Sequence, residues 1–133
     1  MSKKIIVMAA LVASGIFFTT GCYKVTTVVI PNNGEVVTRT VSLSNDIIPI
    51  LNSKCSVSGC HSSGGLKPDL SASNAFSSLT NGGYVNTGAP ESSDVYLWLT
   101  GKKAVAMPIG GPSNPSNLNQ LVLAWIKQGA QNN

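Results

Sequence analysis

Three spacings of apolar residues succeed one another along the chain, and each predicts a different kind of element. The first is an almost unbroken apolar run, Ile5 to Phe18, behind Lys3-Lys4 and ahead of Thr19-Thr20-Gly21-Cys22. It is too short to span a bilayer and has the charged start, apolar middle and small-residue end of an export signal, which gives a segment boundary at 1–21. The second is β-prone: Lys24 to Ile30 and Glu35 to Val41 are rich in Val and Thr around Pro31-Asn32-Asn33-Gly34. That pattern predicts a hairpin, and because a lone hairpin is marginal in water, 22–43 reads as a tether with some strand character.

The third spacing is helical and fills 44–133. Ser44-Asn45-Asp46 supplies an N-cap before Ile47, Ile48, Ile50 and Leu51, with Pro49 tolerated in the first turn, and this face leads straight into Cys55. A second helix is expected from Ser73 to Leu79, stopping at Asn81-Gly82-Gly83, and a third from Glu91 to Thr100, ended by Gly101. Ala104 to Pro115 is a loop. Leu118, Leu121, Val122, Trp125 and Ile126 define a last helix, with Asn114 as cap, Pro115 at its first position and Gly129 at its end.

Composition narrows the picture. With 43% hydrophobic and 11% charged residues, 133 positions hold one small domain. The formal charge of +4 falls to +2 once Lys3 and Lys4 leave with the signal. No Arg/Lys stripe interleaved with aromatics points to nucleic acid, and no phosphate loop or paired catalytic carboxylates appear. Lys54, Lys67, Lys102, Lys103 and Lys127 are nearly balanced by Asp46, Asp69, Glu91 and Asp94, so charge counting selects no partner.

The chemistry concentrates in Cys55-Ser56-Val57-Ser58-Gly59-Cys60-His61, which holds the chain's only histidine. Two thiols followed at once by an imidazole match the grouping of c-type haem attachment, normally Cys-x-x-Cys-His, here with a spacer of four residues. Each thiol can add to a haem vinyl group, and the adjacent imidazole can ligate the iron. Two other readings stand beside it: a Cys55–Cys60 disulfide in an oxidising compartment, and part of a zinc site, for which no further histidine or cysteine lies near enough to complete four ligands.

The third cysteine has its own context. Gly21-Cys22 at the end of the export signal is similar to a bacterial lipobox, with Thr19 where leucine is usual; lipidation of Cys22 leaves Cys55 and Cys60 as an isolated pair. Ordinary cleavage nearby would instead leave Cys22 a free thiol. Once Met1 and Met8 depart with the signal, Met107 is the only thioether left, set in a loop beside Pro108 rather than on an apolar helix face. It is the candidate second axial ligand, against the plainer role of a gap-filling methionine.

In order, Ile48-Pro-Ile-Leu51, Cys60-His61, Gly65-Leu66, Leu70-Ser71, Gly88 to Ser93, Tyr96, Leu99-Thr-Gly101, Met107-Pro108 and Leu123 to Ala130 resemble the class I cytochrome c domain, in the exported lipoprotein variant with a Cys-x4-Cys-His motif. The cysteine spacing and Ser62, where glycine is common, depart from the wider family. The resemblance covers about Ser44 to Gln131. It implies a small all-α domain of about four short helices around one haem c, which supplies apolar volume that so short a chain lacks. It also implies thioethers at Cys55 and Cys60, iron ligation by His61 and Met107, and pairing of the first and last helices. Trp125 is then expected in the core, and Tyr96 and Trp98 in the core or along the haem pocket. The function implied is single-electron transfer to redox partner proteins rather than enzymatic catalysis. The membrane would be engaged through lipid on Cys22, at the outer membrane facing the periplasm. Two rivals stay open: a haem enzyme or gas-sensing module in which Met107 is displaceable, and a cofactor-free structural lipoprotein with a Cys55–Cys60 disulfide.

Overall fold

The computed structural model describes residues 37–109 and 117–133. The export signal, Cys22, nearly all of the expected hairpin and the Asn114-Pro115 cap lie outside them. A wide helical turn, Leu43–Ile47, continues into α1 (Ile48–Lys54); α2 (Ala75–Asn81), a 3-10 turn (Pro90–Ser92), α3 (Asp94–Leu99) and α4 (Leu118–Lys127) follow. The described residues hold four α-helices and no β-strand, an all-α arrangement.

The first helical segment starts two residues earlier than Ser44. Ser42 is the cap: its hydroxyl accepts from the Asn45 N–H at 3.2 Å, and Asp46 reaches back to accept from the Ser42 N–H at 2.7 Å. Two otherwise orphan donors are thereby satisfied reciprocally. Starting early brings Leu43 as well as Ile47 into the core, and Pro49 falls in the first turn of α1.

Residues 39–43 are fastened to the C-terminus by the side chains of Gln128 and Asn133. Gln128 accepts from the Val41 N–H (2.8 Å) and donates to the Arg39 carbonyl (3.0 Å), while Asn133 accepts from the Leu43 N–H (2.8 Å) and donates to the Val41 carbonyl (3.1 Å). Val41 and Leu43 are buried in the same core as α4. The packed unit therefore begins before Ser44, and the last residues of the expected tether belong to it.

One helix expected over Glu91 to Thr100 is instead two pieces that meet at Ser93. That residue is extended (φ −60°, ψ 130°), and its buried hydroxyl accepts from the Asn86 N–H at 2.9 Å, so the preceding loop holds the break. The last helix follows its predicted spacing. From Leu118 to Ile126 every residue but Asn119 is buried, and α4 packs against the Leu43–Ile47 turn, the expected pairing of first and last helical segments. Trp125 is a core residue whose indole N–H donates to the Gln131 carbonyl at 2.8 Å. The chain leaves α4 through Gly129 at φ +94°, a left-handed position that lets the Ala130 N–H return to the Trp125 carbonyl.

Candidate functional site

Beyond α1 the heptad folds back on itself. The Cys55 and Ser56 N–H groups both bond to the Leu51 carbonyl, and the His61 N–H bonds to the Cys55 carbonyl at 3.1 Å, so the spacer loops out and the first cysteine and the histidine become neighbours. Gly59 sits at φ +81°, where a side chain would strain the turn. Gly65 matters for a different reason: any Cβ there would run into the Cys60 carbonyl oxygen, which accepts from the Leu66 N–H at 2.8 Å.

The same loop orients the imidazole. His61 Nδ1 lies 2.9 Å from the Pro68 carbonyl oxygen and 3.2 Å from that of Leu66. Carbonyls only accept, so Nδ1 carries a proton and Nε2 is the nitrogen left to act as a ligand, the arrangement found for metal-ligating histidines. Pro68 is positioned in turn by Asp69. The Asp69 carboxylate accepts from the Ser71 hydroxyl (2.6 Å), the Ser71 N–H (3.0 Å) and Asn74 Nδ2 (2.9 Å), and its own N–H donates to the Ser78 hydroxyl. Those bonds, Ser71 foremost and Asn74 next, hold the Asp69 carboxyl below the usual carboxylate range. A backbone bond from the Leu70 N–H to the His61 carbonyl closes the loop.

Cys55, Cys60, His61 and Met107 all line one cavity of about 200 Å³, set among Leu51, Leu70, Tyr84, Val95, Trp98 and Leu99. Met107 arrives from the far side of the sequence, its N–H bonded to the Trp98 carbonyl at 3.2 Å, which folds the loop after α3 back over the helix that lines the wall. Both cysteines are free thiols, Cys55 half-buried and Cys60 exposed. Burial first, and the neighbouring Cys60 second, push the Cys55 thiol up from its ordinary pKa. Among the described residues no three His, Cys, Asp or Glu side chains gather closely enough to hold a bare metal ion, and no helix is long and apolar enough to cross a membrane.

Of the aromatic residues singled out in the sequence, Trp98 lines the cavity and Tyr96 is buried away from it. Tyr84 was not foreseen; its ring stands 5.9 Å from that of Trp98, tilted by 41°. Lys54 and Lys67 were also missed as lining residues, although their places directly before Cys55 and Pro68 were a signal. Comparison with family models, curated proteins and solved structures gives no match.

Proposed function

We propose that this chain is an exported, lipid-tethered, mono-haem c-type cytochrome that carries single electrons. The observation that supports this reading best is the gathering of two free thiols, a proton-fixed imidazole and a thioether in one apolar cavity. The donor set fits a haem: Cys55 and Cys60 would hold it through thioethers, and His61 Nε2 and Met107 Sδ would ligate the iron. When bound, the haem supplies a one-electron ferrous/ferric couple.

The chain's own residues supply the setting. Pro68 and Leu66 keep His61 in a single tautomer, and Asp69 keeps Pro68 in place, so the ligating nitrogen needs no rearrangement as charge changes. Leu51, Leu70, Val95 and Leu99 give the cleft apolar walls. Lipid on Cys22 would keep the carrier at the envelope surface, with the helical unit free of the bilayer.

The test is an absorption spectrum of the chain exported from cells that assemble c-type cytochromes. A low-spin haem spectrum that survives acid–acetone extraction is expected. A high-spin spectrum would favour a haem enzyme or gas sensor, and absence of haem would leave the cofactor-free lipoprotein.

A further inference from the structure

The loop that carries Met107 has its polarity inverted. From Gly101 to Ala106 it runs Gly-Lys-Lys-Ala-Val-Ala, and Lys103 alone among these residues is not exposed, whereas Val105 leaves 49% of its surface to solvent. Aliphatic side chains ordinarily pack and lysines ordinarily stay in water. Here two groups hold the lysine in. Its Nζ lies 2.7 Å from Asp94 Oδ1, at the start of α3, and 5.3 Å from the centroid of the Trp98 ring. Positions 94 and 98 are four apart on one helix and share a face, so a single ammonium meets both. Lys102, its neighbour, is exposed and leans at 5.9 Å on the ring of Tyr96, which is not a wall of the cleft.

Backbone bonds close this loop at its ends: the Trp98 carbonyl accepts from the Gly101 N–H at 3.1 Å and from the Met107 N–H at 3.2 Å. Between those ends the Lys103 side chain ties the loop to α3. The indole it grips is itself a wall of the cavity shared by Cys55, Cys60, His61 and Met107, beside Tyr84. We infer that Lys103 is a positioning residue for the Met107 thioether: by holding Asp94 and Trp98 it keeps the loop closed over the cleft and sets how often the sixth position of the iron opens. The inference rests on the carrier reading, in which Met107 ligates that iron. A partly exposed ion pair and a cation–π contact are each modest, yet together they shift the opening equilibrium of the loop by about tenfold. An added ligand binds only the open form, so its apparent affinity rises in proportion to the open fraction.

The test uses the exported, haem-loaded chain, with two readouts: imidazole affinity of the ferric iron by absorption titration, and exchange of the Met107 amide hydrogen in the reduced chain by NMR. Lys103→Met should bind imidazole about tenfold more tightly than the parent and exchange the Met107 amide about tenfold faster, with the Trp125 amide in α4 unchanged. Asp94→Asn, which leaves Lys103 on Trp98 alone, should fall between. Lys103→Arg keeps both contacts and should stay within about threefold of the parent; Lys127→Met, which removes an equal charge from the pair with Glu91, should stay within about twofold. Equal acceleration at Trp125 and Met107 would mean a general loosening and overturn the inference, as would a Lys127→Met effect as large as that of Lys103→Met. A chain lacking covalent haem, or Met107→Ala with the parent's imidazole affinity, fails the carrier reading or its ligand assignment and takes the inference with it. A haem-loaded chain in which Met107→Ala tightens imidazole binding and Lys103→Met does not fails the positioning inference alone.

Discussion

Asn133 Oδ1 lies 2.8 Å from the amide nitrogen of Leu43, joining the last residue of the chain to one ninety positions earlier. The bond satisfies a donor on a residue with no exposed surface, and the same amide donates to the Val41 carbonyl. Asn133→Ala leaves both backbone groups short of partners, at a cost of about 1–3 kcal/mol. Thermal unfolding should show a fall in Tm of several degrees, and N133D, which keeps only the acceptor, should fall between. An unchanged Tm would mean the C-terminal clamp is idle.

The acid limb of stability should carry the mark of Asp69. Its pKa is lower folded than unfolded, so its contribution is fully present above the unfolded value of about 4 and is lost as pH falls through the lower folded value. Asp46, through Arg39, and Glu91, through Lys127, are depressed in the same sense and add to the limb. Denaturant melts between about pH 3 and pH 7 should steepen at the acid end for the parent, and Asp69→Asn should flatten that slope. Equal slopes in the two would remove the Asp69 network from the account.

In the haem-free chain the two thiols should differ in reactivity. Cys60 is exposed, whereas Cys55 is half-buried with its thiolate disfavoured by burial and by Cys60. Brief iodoacetamide treatment at neutral pH, read by peptide mass spectrometry, should alkylate Cys60 first. Equal rates would show that the helix end beside Cys55 opens freely.

The ligand assignments separate by consequence. Met107→Ala should retain covalent haem, because Cys55 and Cys60 are intact, while exposing the iron to added ligands and lowering its potential. Retention of the parent's low-spin spectrum and potential would assign the sixth position elsewhere. His61→Ala would remove the ligand proposed beside the thiols, and little mature holoprotein is expected on immunoblot and haem stain.

Much of the helical pattern was legible because its determinants are local. The spacing of Leu118, Leu121, Val122, Trp125 and Ile126 marked α4, and all five are buried. Ser44-Asn45-Asp46 reads as the cap because each of its side chains is a competent one, and only the Asp46 return bond to Ser42 places the cap two residues earlier. The break at Ser93 depends on Asn86, outside the helix. Val41 and Leu43 read as tether because their partners are amide side chains at positions 128 and 133, which leave no periodic trace. At the site, Cys55, Cys60, His61 and Met107 were readable by chemical type, and the structure adds that they share one cavity. The Asp69 support of Pro68 was not readable, since Asp69 looks like any turn residue until Ser71 and Asn74 close on it.

The fastening of residues 41–43 to Gln128 and Asn133 also sets a mechanical path. Tension applied from the N-terminal side of residue 37 reaches Val41 and Leu43 before it reaches α1, and from there it passes to Gln128 and Asn133. The bonds that aim His61, from Cys55, Leu66 and Pro68, lie off that route. A pull from that side should therefore load residues 41–43 against Gln128 and Asn133 while the cleft keeps its shape.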